Sequence, residues 1–237
     1  GNLPTTAGRW QRVPAGPGTV YSVPDSRRYA LDTSKNIIIH FFVNSSIAAL
    51  AALAPTGGWH PTHEEVLDRC VQLASLLQHE FRFPEATELR GVFRRTLDGL
   101  VEQRILAHQD ESLSPGPGMA GWSGEKWLST LASILRNFLE GYRVAARSLG
   151  YLLEGSKSHK DLIKHALAVG EHMFYSGELE RREAVSKPLL ENALRSFTNA
   201  GVLTPAAETW HLKEEYSSSS RLQQLEESIL QLLQEAR

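Results

Sequence analysis

The sequence has a single cysteine, Cys70, among its 237 residues, so no disulfide can form within the chain. It also has no surplus of basic residues, because 25 Lys and Arg are set against 27 Asp and Glu. Non-specific nucleic-acid binding depends on clustered positive charge, so we expect no nucleic-acid partner. No signal-peptide pattern is found. Since the first residue is Gly1 rather than Met, we expect the chain to be a fragment of a longer protein.

Sequence patterns of common active sites are lacking as well. The chain has no H-E-x-x-H motif, no C-x-x-C pair and no glycine-rich G-x-x-x-x-G-K phosphate loop. Cys70 falls on the apolar face of a helical pattern, which is typical of a small core residue rather than a nucleophile. We therefore expect no catalytic, cofactor-binding or metal-binding residue in this chain, and no cofactor.

The most distinctive feature that is present is an uncharged stretch of 28 residues, Asn36–His63. Its apolar runs are Ile37–Phe42 and Ile47–Ala54, and polar residues at its middle disfavour a simple membrane span, which needs about 20 apolar residues. Asn44 or Ser45 can cap a new helix. We predict two helical segments that meet at a bend and lie buried in the core. The alternative is an element that inserts into a membrane or lies on one.

Proline, glycine and hydrophobic periodicity predict a mainly α fold, a multi-helix domain with a long central helix and short β-hairpins. The predicted parts are an N-terminal hairpin or linker at residues 1–24, a first helical half with the apolar hairpin at 25–108, a flexible loop at 109–124 and a second helical half at 125–237. Together they are expected to form one domain.

Local signals place several helices. Thr62 and Glu65 form a capping-box pattern, and apolar residues recur at helical spacing from there to about Gln78. Further helices are predicted from Glu85, from about Ser158 to Tyr175, from Pro188 to Ala200, and after the serine run Ser217–Ser220. A helix is also predicted from Asp25 or Ser26 into the apolar stretch.

The longest predicted helix runs from about Gly124 to Leu153. Its apolar stripe alternates spacings of three and four residues, as in a helix seam, and consists of Leu128, Leu131, Leu135, Phe138, Tyr142, Ala145, Leu149 and Leu152. Four charged residues fall away from the stripe, namely Arg136, Glu140, Arg143 and Arg147. We expect the stripe to face the core of the same domain; the alternative is a homomeric coiled coil.

One pattern occurs twice at a constant offset of 97 residues. Phe93, Leu97, Leu100, Ile105 and Leu106 align with Leu190, Leu194, Phe197, Val202 and Leu203. Each set predicts a helix, a tight turn and a short strand, similar to the helix–hairpin ending of winged-helix modules. Such modules suggest DNA binding, but beside Arg90, Arg94 and Arg95 in the first copy the second offers only Lys187 and Arg195. That is too little charge for a phosphate-binding surface.

Two histidines are candidates for chemistry. His63 and Asp68 formally spell H-x-x-x-x-D, the acyltransferase dyad in which His deprotonates a hydroxyl group. They fall in the first turns of an amphipathic helix, however, so we interpret them as a helix N-terminus with favourable acids. His40 lies in the apolar stretch, where we expect a buried, neutral, hydrogen-bonded side chain.

The segment Tyr29-Ala-Leu-Asp-Thr-Ser-Lys-Asn-Ile-Ile-Ile-His40 resembles the segment that opens the C-terminal domain of PlsB-type glycerol-3-phosphate acyltransferases. Lys35 stands where that family more commonly has Asn. The resemblance continues through Phe81-Arg-Phe with Glu88-Leu, Leu139-Glu-Gly-Tyr-Arg-Val-Ala and Asn199-Ala-Gly-Val-Leu. Together these segments cover most of residues 10–205.

This resemblance implies a C-terminal domain that supports or regulates an acyltransferase domain. In the family, the catalytic dyad and the phosphate-binding loops lie in that separate domain, which precedes this region. The implied reaction transfers a fatty acyl group from acyl-CoA or acyl-carrier protein to the 1-hydroxyl of glycerol 3-phosphate; dihydroxyacetone phosphate remains a possible acceptor. The implied location is peripheral, at the cytoplasmic face of the inner cell membrane. The alternative is a free-standing helical interaction module without enzymatic activity.

Overall fold

The computed structural model describes residues 11–15, 18–22, 38–53, 61–206 and 209–236. The chain packs as two units, residues 1–42 and residues 43–237. In the first unit, β1 (Gln11–Ala15) pairs antiparallel with β2 (Gly18–Ser22), which confirms the predicted hairpin. A short 3₁₀ turn, Ile39–Phe41, follows later in this unit. The helix predicted from Asp25 falls on residues outside the described ranges.

The second unit consists mainly of α-helices, which confirms the predicted fold class. Its α-helices are α1 (Val43–Ala52), α2 (His63–Leu76), α3 (Ala86–Glu102), α4 (Gly124–Ala132), α5 (Arg136–Ser148), α6 (His159–Tyr175), α7 (Lys187–Asn199) and α8 (Ser219–Glu235). Its strands are β3 (Leu106–Gln109), β4 (Ser112–Pro115), β5 (Lys157–Ser158), β6 (Leu203–Ala206) and β7 (Thr209–Leu212).

Helix α1 is buried in the core, as the apolar run predicted. The five residues from Ile47 to Ala51 are completely inaccessible to solvent, and α1 packs against α2, α3 and α4. The helix begins at Val43, so Asn44 and Ser45 lie in its first turn and do not cap it. In the described ranges no helix is both long enough and apolar enough to cross a membrane.

The second unit contains the same arrangement of elements twice. In the first half, α1 packs against α2, α3 and α4, with the β3–β4 hairpin between α3 and α4. In the second half, α5 packs against α6, α7 and α8, with the β6–β7 hairpin between α7 and α8. The repeated pattern in the sequence therefore belongs to a duplication that extends over two whole halves.

The ends of α3 and α7 show the duplication at atomic detail. The amide of Ile105 donates to Leu100 O at 2.9 Å, and 97 residues later the amide of Val202 donates to Phe197 O at 2.8 Å. Such a bond across a left-handed residue ends a helix in the Schellman motif. The left-handed residues are Arg104 (φ 61°) and Gly201 (φ 76°).

Both halves also follow the strand order of a winged-helix module. The strand β5, just before α6, pairs with β7, so the sheet order is β5–β7–β6. In the first half Thr62, just before α2, forms an isolated bridge with Ser112 of β4. The predicted capping box is confirmed at this point, because Thr62 N donates to Glu65 Oε2 at 2.8 Å and Glu65 N donates to Thr62 Oγ1 at 3.3 Å.

The prediction of one long helix from Gly124 to Leu153 is wrong. Ser133–Leu135 and Leu149–Glu154 are 3₁₀ turns, and they interrupt it before and after α5. Serine and threonine hydroxyls donate back to carbonyls of the preceding turn, among them Thr130 Oγ1 to Lys126 O at 2.7 Å and Ser133 Oγ to Thr130 O at 2.8 Å. Such bonds compete with the helical ladder. The interruption separates α4, which belongs to the first half, from α5.

The loop predicted at residues 109–124 is partly wrong as well, because β4 falls inside it. The rest of the segment is held by backbone bonds, including Gly116 N to Ile105 O at 2.8 Å and Gly124 N to Gly116 O at 3.1 Å. A Cβ atom at Gly124 would lie 2.4 Å from Ile105 O. Glycine is needed at position 124 because the backbone of Ile105 approaches it closely. Its presence in a Gly- and Pro-rich segment had instead suggested a flexible loop. The predicted divisions at residues 24/25 and 124/125 stay predictions.

Replacing Leu135 by Ala tests whether the apolar stripe is core or dimer seam. Leu135 is fully buried within its own chain, so Leu135→Ala should lower the free energy of unfolding by about 2–5 kcal/mol, independently of protein concentration. Urea unfolding at two concentrations a hundredfold apart measures this, with Leu153→Ala, an exposed leucine, as the control. A dimeric parent with a folded, monomeric mutant would contradict the core assignment.

Candidate functional site

Helix α5 carries a charged face that lies almost entirely inside the protein. The exposed fractions of Arg136, Glu140 and Arg143 are 7%, 1% and 6%. Buried charges are costly unless they are paired, so each of these side chains must find partners. The sequence pattern separated them correctly from the apolar stripe, but their burial was not predicted. The signal that could have indicated it is their spacing of four and three residues, which places all three on one face of the helix.

Glu140 binds the segment that follows α6. Its Oε1 accepts from Arg136 Nε at 3.2 Å and from the Glu180 amide at 3.2 Å, and its Oε2 accepts from the Arg181 amide at 2.9 Å. Arg136 Nη2 also binds Glu180 Oε1 at 2.8 Å. The carboxylate thus satisfies two backbone donors of this loop and fixes the loop onto α5.

Arg143 and Arg147 share two acidic partners from distant parts of the chain. Arg143 Nη2 lies 2.9 Å from Glu178 Oε2, and its Nε lies 3.1 Å from Glu226 Oε1. Arg147 Nη2 lies 2.7 Å from Glu178 Oε2 and 2.6 Å from Glu226 Oε1. The hydrogen bond from Arg147, with the nearby charge of Arg143, lowers the pKa of Glu178. We call these residues, with Arg136 and Glu140, the α5 ion network; it ties α5 to α8 and to the loop after α6.

Between these charges, Gly141 and Tyr142 of α5 lie against α7. A Cβ atom at Gly141 would lie 2.4 Å from Leu189 Cδ2. Tyr142 is fully buried, and its hydroxyl lies 3.1 Å from Ser196 Oγ. The Leu139–Ala145 segment, one of those that carry the family resemblance, is therefore a packing and pairing centre.

His63 and Asp68 are each engaged with a different partner. The ring of His63 stacks on that of His108, with centroids 6.4 Å apart. Asp68 binds Arg90 from α3, and Arg90 also binds Glu64. This geometry agrees with the interpretation of both residues as parts of a helix N-terminus; that neither is catalytic stays a prediction.

The ion pairs between α2 and α3 are also evidence against DNA binding. Glu64 binds Arg94 as well, at 3.0 Å, and the pKa of Glu64 is lowered chiefly by its hydrogen bond to Arg90. Two of the three arginines of α3 thus face acids of α2, which reduces the positive potential that a phosphate backbone requires. This supports the expectation of no nucleic-acid partner.

Cys70 is buried in α2, and burial raises the pKa of its thiol to about 12. A buried thiol that stays protonated at neutral pH is a poor nucleophile; that Cys70 is a core residue rather than a nucleophile stays a prediction. Within the described ranges, no group of His, Cys, Asp and Glu side chains could hold a metal ion.

The burial expected for His40 is wrong, because His40 is exposed. It belongs to a turn at residues 38–42 in which Ile38, Phe41 and Phe42 are also exposed, by 53%, 83% and 45%. The apolar run Ile37–Phe42 suggested a core segment, but only Ile39 of the described residues in this run is buried. We call residues 38–42 the aromatic turn.

Comparison with known proteins places most of the chain in one family. A family model described as "Glycerol-3-phosphate acyltransferase C-terminal region" matches residues 5–206. Proteins named "Putative acyltransferase plsB1" from Mycobacterium bovis and Mycobacterium tuberculosis are 25% identical to it over 188 residues. The match covers 76% of this chain but 29% of each relative, so the chain spans under a third of the length of these relatives.

Replacing Glu140 by Gln tests the α5 ion network. The change leaves Arg136 buried without full compensation and turns an amide toward two backbone donors, so we expect a loss of about 3 kcal/mol in the free energy of unfolding. Glu171→Gln on the exposed face of α6 is the matched control and should stay within about 0.5 kcal/mol of wild type. Equal stability of both variants in urea unfolding would show that the network contributes little.

Proposed function

Because the chain belongs to the family of the glycerol-3-phosphate acyltransferase C-terminal region, we propose that it supports or regulates the acyltransferase domain of a larger glycerol-3-phosphate 1-O-acyltransferase. The observation that carries the proposal is the extent of the match, which covers residues 5–206. The structure adds that the polar residues of the segment Leu139–Ala145 are used for pairing within the chain. They are thereby suited to a structural role.

The proposed reaction is the first acylation step of phospholipid synthesis. A fatty acyl group moves from acyl-CoA or acyl-carrier protein to the 1-hydroxyl of glycerol 3-phosphate and yields lysophosphatidate. The catalytic base and the phosphate-binding loops belong, in this proposal, to an acyltransferase domain that precedes this region. The proposed location is the cytoplasmic face of the inner membrane, where the protein is peripheral.

The alternative is a free-standing helical module that binds another protein and takes no part in acyl transfer. The duplicated winged-helix arrangement would suit such a role, since a fold of this kind does not determine function. The gene sequence distinguishes the two proposals. Support of an acyltransferase domain requires that the reading frame upstream of residue 1 encode an H-x-x-x-x-D motif, whereas a free-standing module does not.

The first experiment compares this chain with a longer protein that includes the preceding domain. Transfer of radiolabelled palmitate from palmitoyl-CoA to glycerol 3-phosphate should occur with the longer protein and not with residues 1–237 alone. Removal of residues 1–237 from the longer protein should reduce or abolish transfer. An unimpaired enzyme after that removal would contradict the supporting role.

The aromatic turn is the surface where we expect the acyltransferase domain to bind. Phe41 exposes 83% of its surface and two further apolar side chains of the turn expose about half of theirs. Exposed apolar patches mark interaction sites more often than single residues do. The relatives are more than three times as long as the matched part, and the preceding domain is the proposed source of the covering surface.

Phe41→Ser in the longer protein tests this surface. We expect it to weaken the contact between the domains by about 2 kcal/mol and to reduce acyl transfer, while thermal unfolding of residues 43–237 stays unchanged. Tyr175→Ser is the matched control, because Tyr175 is an aromatic residue of similar exposure, 76%, at the end of α6.

Two outcomes would contradict this assignment. If Phe41→Ser and Tyr175→Ser had the same small effect on transfer, the turn would not be the contact. If Phe41→Ser instead abolished binding of the isolated chain to vesicles of anionic phospholipid, the turn would be a membrane contact rather than a domain contact.

A further inference from the structure

Glu80 is a partly buried acidic residue at the junction between the two halves. It lies in the turn after α2, and its Oε2 accepts from Asn192 Nδ2 of α7 at 3.2 Å. Its other oxygen, Oε1, is fully buried and makes no hydrogen bond of ordinary length with any described residue; the Tyr142 hydroxyl is the donor that faces the carboxyl group. The carboxyl group thus reaches from the first half into the second.

The residues on either side of Glu80 contact the second half too. His79 Nε2 lies 3.0 Å from Asn199 Nδ2 of α7. The ring of Phe81 meets that of Phe138 of α5 edge-on, with centroids 4.9 Å apart. Three consecutive residues therefore join the halves, and Glu80 is the most deeply placed polar group of the three.

The surroundings of Glu80 favour its neutral form. Tyr142 of α5 faces the carboxyl group, and the polar groups of α7 near it are Asn192 and Ser196. The nearest titratable group on its own turn is His79, whose pKa is lowered by burial and by the charge of Arg195. None of these supplies a cation paired with Glu80, and burial raises the pKa of Glu80 to about 7.

We propose that Glu80 is a proton-dependent latch between the two halves of the second unit, which is closed while the carboxyl group is protonated and loosened when it ionises. A protonated carboxyl group is a neutral group that can also donate a hydrogen bond. An ionised one places a negative charge in the junction with no cation paired to it, because its contacts there are the neutral groups of Asn192 and Tyr142.

The direction of the pH effect follows from linkage. The pKa of Glu80 is raised in the folded chain from 4.5 to about 7. Below pH 4.5 the group is protonated in both the folded and the unfolded chain, so its contribution is then fully present. Between these two pH values the unfolded chain ionises first, so folding loses stability as the pH rises. The loss is complete once the pH has risen through about 7 and the group is ionised in the folded chain as well.

The test is the pH dependence of thermal unfolding for wild type, Glu80→Gln and Glu171→Gln, each in the 237-residue chain. Glutamine imitates the protonated carboxyl group at every pH. The melting temperature of wild type should fall relative to that of Glu80→Gln as the pH rises from 4.5 to 7.5, and Glu171→Gln should follow wild type. The protection of the amides of residues 79–81 and of α7 against exchange, relative to the unfolded chain at the same pH, should fall over this range in wild type and Glu171→Gln but not in Glu80→Gln.

A constant difference in melting temperature across this pH range would overturn the proposal, because a purely structural role predicts that result. If Glu80→Gln does not fold, carboxyl-carbon NMR of the wild-type chain decides instead. Titration of the Glu80 signal near pH 7 is the expected result, and titration near pH 4.5, the ordinary value, overturns the latch.

Discussion

The ion network of α5 is the constraint on which the second half depends. Three charged side chains of one helix are withdrawn from water, which costs several kcal/mol per ion before pairing. Pairing recovers this cost only if all partners are present together, and these come from the loop after α6 and from α8, up to 83 residues away. The helix, the loop and the C-terminal helix must therefore assemble as one cooperative unit.

The central helix of the first half is buried without charged side chains. Helix α1 occupies the place in its half that α5 occupies in the other, and its buried residues are apolar apart from Ser46. Ser46 and Arg143 are 97 residues apart, the offset of the duplication, so a buried hydroxyl stands where the second half has a paired arginine. Helix α1 is thus held in its half by hydrophobic burial, whereas α5 adds ion pairs to its buried apolar side. Hydrophobic contacts tolerate small shifts, whereas the paired arginines specify one arrangement.

Much of this fold could be predicted from the sequence because the signals are local. The capping box at Thr62, the apolar run of α1 and the two helix–hairpin endings each depend on residues within a few positions of one another. The interruption at Ser133–Leu135 was missed because the spacing of apolar residues continues across a 3₁₀ turn. Burial of Glu140 and exposure of Phe41 were missed because both depend on partners far away in the chain. The same limit applies to Glu80, whose neighbours lie more than 60 positions later.

A C-terminal region of this kind, whose buried polar groups pair with one another, is suited to support or regulate a neighbouring catalytic domain.

The claim that the α5 ion network holds the second half together is tested most directly by a double-mutant cycle between Arg143 and Glu226. The cycle is measured by urea unfolding of Arg143→Met, Glu226→Gln and the double variant. A cooperative network predicts a coupling energy of about 1.5 kcal/mol or more, since each single change takes from the other side chain one of its two charged partners. Additive effects, within about 0.5 kcal/mol, would show that these ion pairs do not hold the second half together.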